Sequence, residues 1–150
     1  MSKLKEQLYL QCWDYIKKKE AEIRKTIADA QEAANEDTKS SAGDKFETGR
    51  EVMQQEIDLN LARRNELNKL KLTLEKIIPA QKSTTALPGS VVVTNNGNYY
   101  ITISAGPLNA DNVSYYAVSI ASPIGTQLSG KKAGDQFTMN GKKFVIERII

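Results

Sequence analysis

Histidine is absent from this chain of 150 residues, and cysteine and tryptophan occur once each, as Cys12 and Trp13. A lone thiol cannot close an internal disulfide. Without histidine, neither a Cys/His zinc site nor a Ser-His or Cys-His nucleophile can be assembled. No apolar run approaches the roughly 20 residues that a membrane span requires. The opening residues alternate in charge (Lys3, Lys5, Glu6) and form no signal-peptide apolar block. A cytoplasmic protein with no membrane partner is expected. An excess of one charge is scarce too: the net is +3, too small by itself to mark a nucleic-acid binder.

Proline is missing from the first 78 residues, and glycine occurs there only at Gly43 and Gly49. That is the composition a long helix tolerates. All four prolines and the other seven glycines lie beyond. Charge divides at the same place. Residues 1–79 hold 15 basic and 15 acidic side chains and residues 80–150 hold 6 and 3, so the whole excess is in the second part.

In the first part, apolar residues recur in steps of four and three, averaging near the 3.5-residue repeat of a coiled-coil seam. Tyr9, Trp13, Ile16, Ile23, Ile27, Ala30 and Ala34 form one stripe, flanked by Leu4, Leu8, Cys12 and Tyr15. Phe46, Met53, Ile57, Arg64, Leu67, Leu74 and Ile78 form another, flanked by Leu61 and Leu70. Between them, Asp37 to Asp44 contains turn formers, with Ser41 as N-cap and Asp44 standing where a capping box has Glu or Gln. Arms of equal length, about 2–36 and 44–78, predict an antiparallel hairpin reaching roughly 50 Å at about 1.5 Å per residue. Each seam then has its partner in the same chain, which predicts a monomer.

Pro79 stops the second helix, and a polar linker follows. Short β-rich runs come next, at 91–93, 99–103, 115–120, 136–139 and 143–146. Turn chemistry separates them: Asn95 to Asn98, Gly106-Pro107, Ala110 to Asn112 and Asn140-Gly141. Ile124 to Leu128 reads as a short helix opened by Ser122-Pro123. The expected fold is α+β: a coiled-coil hairpin over 1–78, a linker over 79–86, and over 87–150 an antiparallel sheet of about five strands with one short helix.

The run Ser122-Pro123-Ile124-Gly125-Thr126-Gln127-Leu128-Ser129-Gly130-Lys131-Lys132-Ala133-Gly134-Asp135 resembles the C-terminal signature of the Gre-type bacterial transcription elongation factors, S-P-I-[GA], a short helix, then G-K-x-x-G-D. Pro88 to Val93 is similar to that family's opening G-[ST]-x-V strand, and Tyr100 to Ile103 stands where it has Y-x-I-V-G. Phe46 to Glu51 resembles the Y-x-A-A-[RK]-E that begins its second helix. The resemblance covers nearly the whole chain and implies an FKBP-like sheet domain from about 87 to 150. It further implies a partner, RNA polymerase, held through Ser122, Pro123, Ile124, Gly125, Gly130, Lys131, Lys132 and Asp135. The hairpin would enter the secondary channel and meet the RNA 3′ end indirectly. The implied class is transcription regulation, with DNA binding among its properties. The chain would be no enzyme itself, at most a stimulator of the polymerase's own RNA cleavage.

In cleavage-stimulating members an acidic pair at the hairpin tip helps hold the second catalytic Mg²⁺, shared with the polymerase. Hard Mg²⁺ prefers such oxygen ligands. Counted back from Phe46 without gaps, that pair falls on Lys39 and Ala42. The candidates that remain are Glu36, Asp37 and Asp44, with Asp37 and Asp44 as the metal-directed pair. The alternative is that Glu36 and Asp37 end one helix while Asp44 and Glu47 sit near the positive N-terminus of the next.

Lys17-Lys18-Lys19 with Arg24 and Lys25 reads as a solvated helix face, or as a contact to RNA or the channel wall in the resemblance. Lys131, Lys132, Lys142 and Lys143 are expected to form a small basic patch. Arg63-Arg64 is expected to cover part of the seam with its stems. Trp13 is expected to pack, and Cys12 to be buried and inert. Two other classes fit parts of the chain. One is an FKBP-like prolyl isomerase or chaperone, which needs an aromatic-lined pocket. The other is a coiled-coil scaffold that dimerises.

Overall fold

The computed structural model describes the backbone of residues 2–39 and 43–150, and the side chains of 3–33 and 51–150. The elements are α1 (Ser2–Lys39), α2 (Gly43–Glu75), β1 (Val91–Thr94), β2 (Gly97–Thr102), β3 (Gly106–Ala110), β4 (Val113–Ser119), α3 (Pro123–Leu128), β5 (Gln136–Met139) and β6 (Lys142–Ile149). The fold is α+β: an N-terminal helical hairpin followed by a six-stranded mixed sheet with one short helix. No described helix is long and apolar enough to cross a membrane. By contacts the chain divides into two units, one of 16–71 and one of 1–15 with 72–150.

In the 16–71 unit, Ile16, Ile23 and Ala30 of α1 are buried, as are Asn60 and Leu67 of α2. The α1 positions are seven apart, as are the α2 positions, which is the heptad spacing expected of a seam. The sequence places Arg64 on this stripe, but the buried polar residue is Asn60, 2% exposed. Its amide nitrogen donates to the Glu56 carbonyl at 2.9 Å. Arg64 is exposed, so its stem covers less of the seam than expected.

At the other end of the helices, which belongs to the second unit, the stripe shifts. Leu8 and Cys12 are fully buried, while Tyr9 and Trp13 are half-buried and meet edge to face at 6.3 Å. The Tyr9 hydroxyl donates to the Leu74 carbonyl at 3.0 Å, so this pair faces α2. Leu8 and Cys12 occupy the flanking positions, and Cys12 lies beside Thr102 of β2. A helix packed on two neighbours at once buries a wider arc than a two-helix seam. The second helix ends at Glu75, three residues before the expected Ile78, because residues ahead of Pro79 are driven out of helical conformation. Ile77 therefore turns inward at 5% exposure and Ile78 outward at 60%.

The strand order is β3-β4-β2-β1-β6-β5. This corrects the expectation of about five antiparallel strands: a sixth strand, β3, is present, and β2 pairs with β4 in parallel, Tyr100 opposite Ala117. Gly106-Pro107, read as a turn, belongs to that sixth strand, with Pro107 opposite Tyr116. Proline has no N–H to donate and is tolerated at a sheet edge. The strand that carries Pro107 takes the outermost place, and β4, which buries Tyr115 and Ala117, is inserted between it and β2. Asp111 and Asn112 close the β3–β4 hairpin with φ of 52° and 65°, and Asn140 and Gly141 close β5–β6 with 53° and 77°. Both are left-handed two-residue turns, whose twist matches that of the strands.

Val92, Ile101, Phe137, Phe144 and Ile146 form the core under the sheet with Ala86 and Leu128. Phe137 and Phe144 stack at 4.8 Å. The central strand β2 buries Tyr100, Ile101 and Thr102 in succession, so both its faces are covered.

Candidate functional site

The run Ser122–Asp135 makes a helix and two turns whose members divide by task. Ser122 caps α3: its Oγ accepts from the Gly125 N–H at 3.1 Å and donates to the Ser119 carbonyl at 2.6 Å. Pro123 follows at the first helical position, where its missing N–H leaves nothing unsatisfied. A Cβ on Gly125 would lie 1.9 Å from the Ser119 carbonyl oxygen, so no larger residue fits. The backbone returns through Gly130, at φ 76°, whose N–H donates to Ala86 at 2.8 Å, while Ala86 donates to Lys131 at 2.7 Å. The carboxylate of Asp135 accepts from the Lys132 N–H at 2.9 Å and so closes the next turn.

Ser122, Gly125, Gly130 and Asp135 thus have structural duties. The side chains that can face a partner are exposed Pro123 and Lys132, with half-buried Ile124 and Lys131. Lys131 is held by the Phe137 ring, its Nζ 5.6 Å from the centroid. The expected four-lysine patch is not assembled. The Gly134 N–H meets the Ile146 carbonyl, which puts Lys131 and Lys132 at one end of the β5–β6 ladder, whereas Lys142 pairs with Met139 at the other. Four residues of strand separate the ends, about 13 Å.

The tip candidates Glu36, Asp37 and Asp44 lie outside the residues whose side chains are described, as do Lys39, Ala42 and Glu47. Lys17, Lys18, Lys19, Arg24 and Lys25 are exposed, as a solvated face requires. Within the same unit Glu20 forms an ion pair with Lys71 of α2, and Arg24 lies 3.7 Å away. The hydrogen bond from Lys71 is the main reason the Glu20 carboxyl is held below its ordinary value.

The sheet's aromatics are largely spent on packing. Tyr100 is fully buried, Phe137 stacks on Phe144, and Tyr99 meets Tyr116 at 6.1 Å. A cleft of about 530 Å³ is lined instead by Lys5, Pro79, Lys82, Ser83, Thr84 and Ile149 among others. Lys5 reads as one of the opening charges, yet its spacing to Leu8, Cys12 and Ile16, in steps of three and four, places it on the buried face of α1. Cys12 is buried as expected, and that burial pushes its thiol up to about 12.

The chain matches no protein-family model, no curated protein and no solved structure.

Proposed function

We propose that this chain is a Gre-like transcription factor that binds RNA polymerase and modulates elongation by placing its helical hairpin in the secondary channel. The observation that carries this reading is the run Ser122–Asp135. Its glycines, its capping serine and its aspartate each meet a specific backbone demand, and the residues left exposed are those a partner would touch. The order of elements, a hairpin ahead of a sheet with one short helix, agrees with the same reading. At about 1.5 Å per residue, the part of α1 within the 16–71 unit, residues 16–39, is about 36 Å long, a length suited to entering a channel. Lys132 would meet acidic polymerase side chains, where charge governs encounter rate and register more than raw affinity.

With Lys39 and Ala42 in the positions of the acidic pair, the factor acts by occupying the channel. Any magnesium used in transcript cleavage belongs to the polymerase. The test is retention of RNA polymerase on the immobilised chain, followed by cleavage of a stalled, backtracked complex. The chain should retain polymerase and compete with a cleavage-competent Gre protein. Failure to retain polymerase overturns the reading, and retention without competition overturns the channel. Should cleavage be stimulated, the combined change Asp37→Ala and Asp44→Ala abolishes it if those carboxylates are the metal-directed pair.

A further inference from the structure

The cleft beside the start of α1 contains a buried ammonium with no carboxylate in ion-pair range among the described residues. Lys5 is 3% exposed, and its Nζ donates to the Gln81 carbonyl at 2.5 Å. Among the described residues, no carboxylate comes within 4.0 Å of that ammonium. A second cation, Lys82, lines the same cleft. Burial first, and then the charge of Lys82, push the Lys5 amine below its ordinary 10.5. Removing an ammonium from water is costly unless it is paired, and a second ammonium nearby raises that cost. A neutral side chain at position 5 would avoid both penalties; the bond to the Gln81 carbonyl is the one contact that offsets them, and it leaves the charge itself unneutralised.

The rest of the lining defines what could supply the missing charge. Pro79, Ala80, Ile149 and Ile150 contribute apolar surface, Thr84 contributes an exposed hydroxyl, and the cleft's volume of about 530 Å³ suits a small molecule. The Ser83 hydroxyl is already engaged, accepting from the Thr85 N–H at 3.2 Å. An ammonium has three donors, and the Gln81 carbonyl occupies one.

We propose that this cleft is a binding site for a small organic anion. The carboxylate or phosphate head sits between Lys5 and Lys82, and a short aliphatic body lies along Pro79 and Ile149. The head supplies the countercharge through charge-assisted hydrogen bonds. The site is separate from the run Ser122–Asp135 and does not depend on the polymerase reading.

Titration of the full chain with hexanoate, hexyl phosphate, inorganic phosphate and hexylamine, followed by NMR shifts of Lys5, Lys82 and Ile149, tests the assignment. At least one of the two alkyl anions should give saturable shifts at those three residues. Comparing hexanoate with hexyl phosphate identifies the preferred head. Lys82→Ala, a change at an exposed position, should weaken binding about tenfold, roughly the worth of one charge-assisted hydrogen bond. Lys5→Met, which keeps the stem and removes the charge, should abolish it, and if that variant does not fold, Lys82→Ala alone decides. Absence of saturable shifts with both alkyl anions overturns the proposal. So does unchanged affinity in Lys82→Ala, equal binding of hexylamine, or binding of inorganic phosphate as tight as that of hexyl phosphate.

Discussion

The side-chain amide of Gln11 pairs with both backbone groups of Asn109: its nitrogen donates to the Asn109 carbonyl at 2.6 Å, and its oxygen accepts from the Asn109 N–H at 3.1 Å. Asn109 belongs to β3, the edge strand, whose outward N–H and C=O groups would otherwise be a template for another chain. Gln11→Ala should lower stability by about 1 kcal/mol, since both bonds are solvent-exposed. It should also increase concentration-dependent association. Urea unfolding and light scattering would check the two effects, and an unchanged midpoint would remove Gln11 as an edge cover.

Gly125 and Ser119 leave no room for a side chain between them. With a Cβ at position 125 only 1.9 Å from a backbone oxygen, Gly125→Ala must displace α3 or the end of β4. A loss of about 2–3 kcal/mol is expected, typical of overpacking in a tight site. A melting temperature equal to that of the parent chain would contradict this.

Lys132 and Asp135 are neighbours in one turn with different tasks. Lys132→Glu should leave the melting temperature nearly unchanged, because the turn uses only backbone groups of Lys132, its N–H to the Asp135 carboxylate and its carbonyl from the Asp135 N–H. Polymerase retention should fall sharply in the same variant. Asp135→Ala removes the acceptor of that N–H and should lower stability by about 1 kcal/mol. Melting curves and polymerase retention, measured on the same preparations, separate the two roles.

Asn60 is a polar residue at a buried seam position. Such residues fix helix register at some expense in stability. Asn60→Leu should therefore raise stability by about 1 kcal/mol or more, as burial of an amide is replaced by burial of an alkyl group. A lower unfolding midpoint in that variant would show that the bond to the Glu56 carbonyl outweighs the burial penalty.

Cys12 provides the pH dependence. Its thiol moves from an ordinary 9.0 to about 12, chiefly because burial disfavours the thiolate, although Thr102 acts in the opposite sense. Between those values the unfolded chain releases a proton that the folded chain retains, so stability is full below about pH 9 and falls as pH rises toward 12. Tyr100, also raised by burial and facing Cys12, adds to the decline at higher pH. Lys5, with a lowered value, opposes it below 10.5, where rising pH relieves a buried charge. Cys12→Ala should be less stable overall yet show a shallower decline above pH 9, measured by urea unfolding at successive pH values.

What the sequence determined by itself was everything carried by local period and local turn chemistry. The 3.5-residue spacing and the lack of proline gave the two helices. Pro79 set the limit of the second, and Asn140-Gly141 and Ser122-Pro123 gave a hairpin and a short helix where they stand. Tertiary structure decided what depends on partners distant in the chain. It put Pro107 in an edge strand, set β4 parallel to β2, moved the buried stripe from Tyr9 and Trp13 to Leu8 and Cys12, and lined one cleft with both Lys5 and Lys82. The physical reason is that a residue's own conformation is limited by its immediate neighbours, whereas strand pairing and burial are settled by competition among surfaces far apart in sequence.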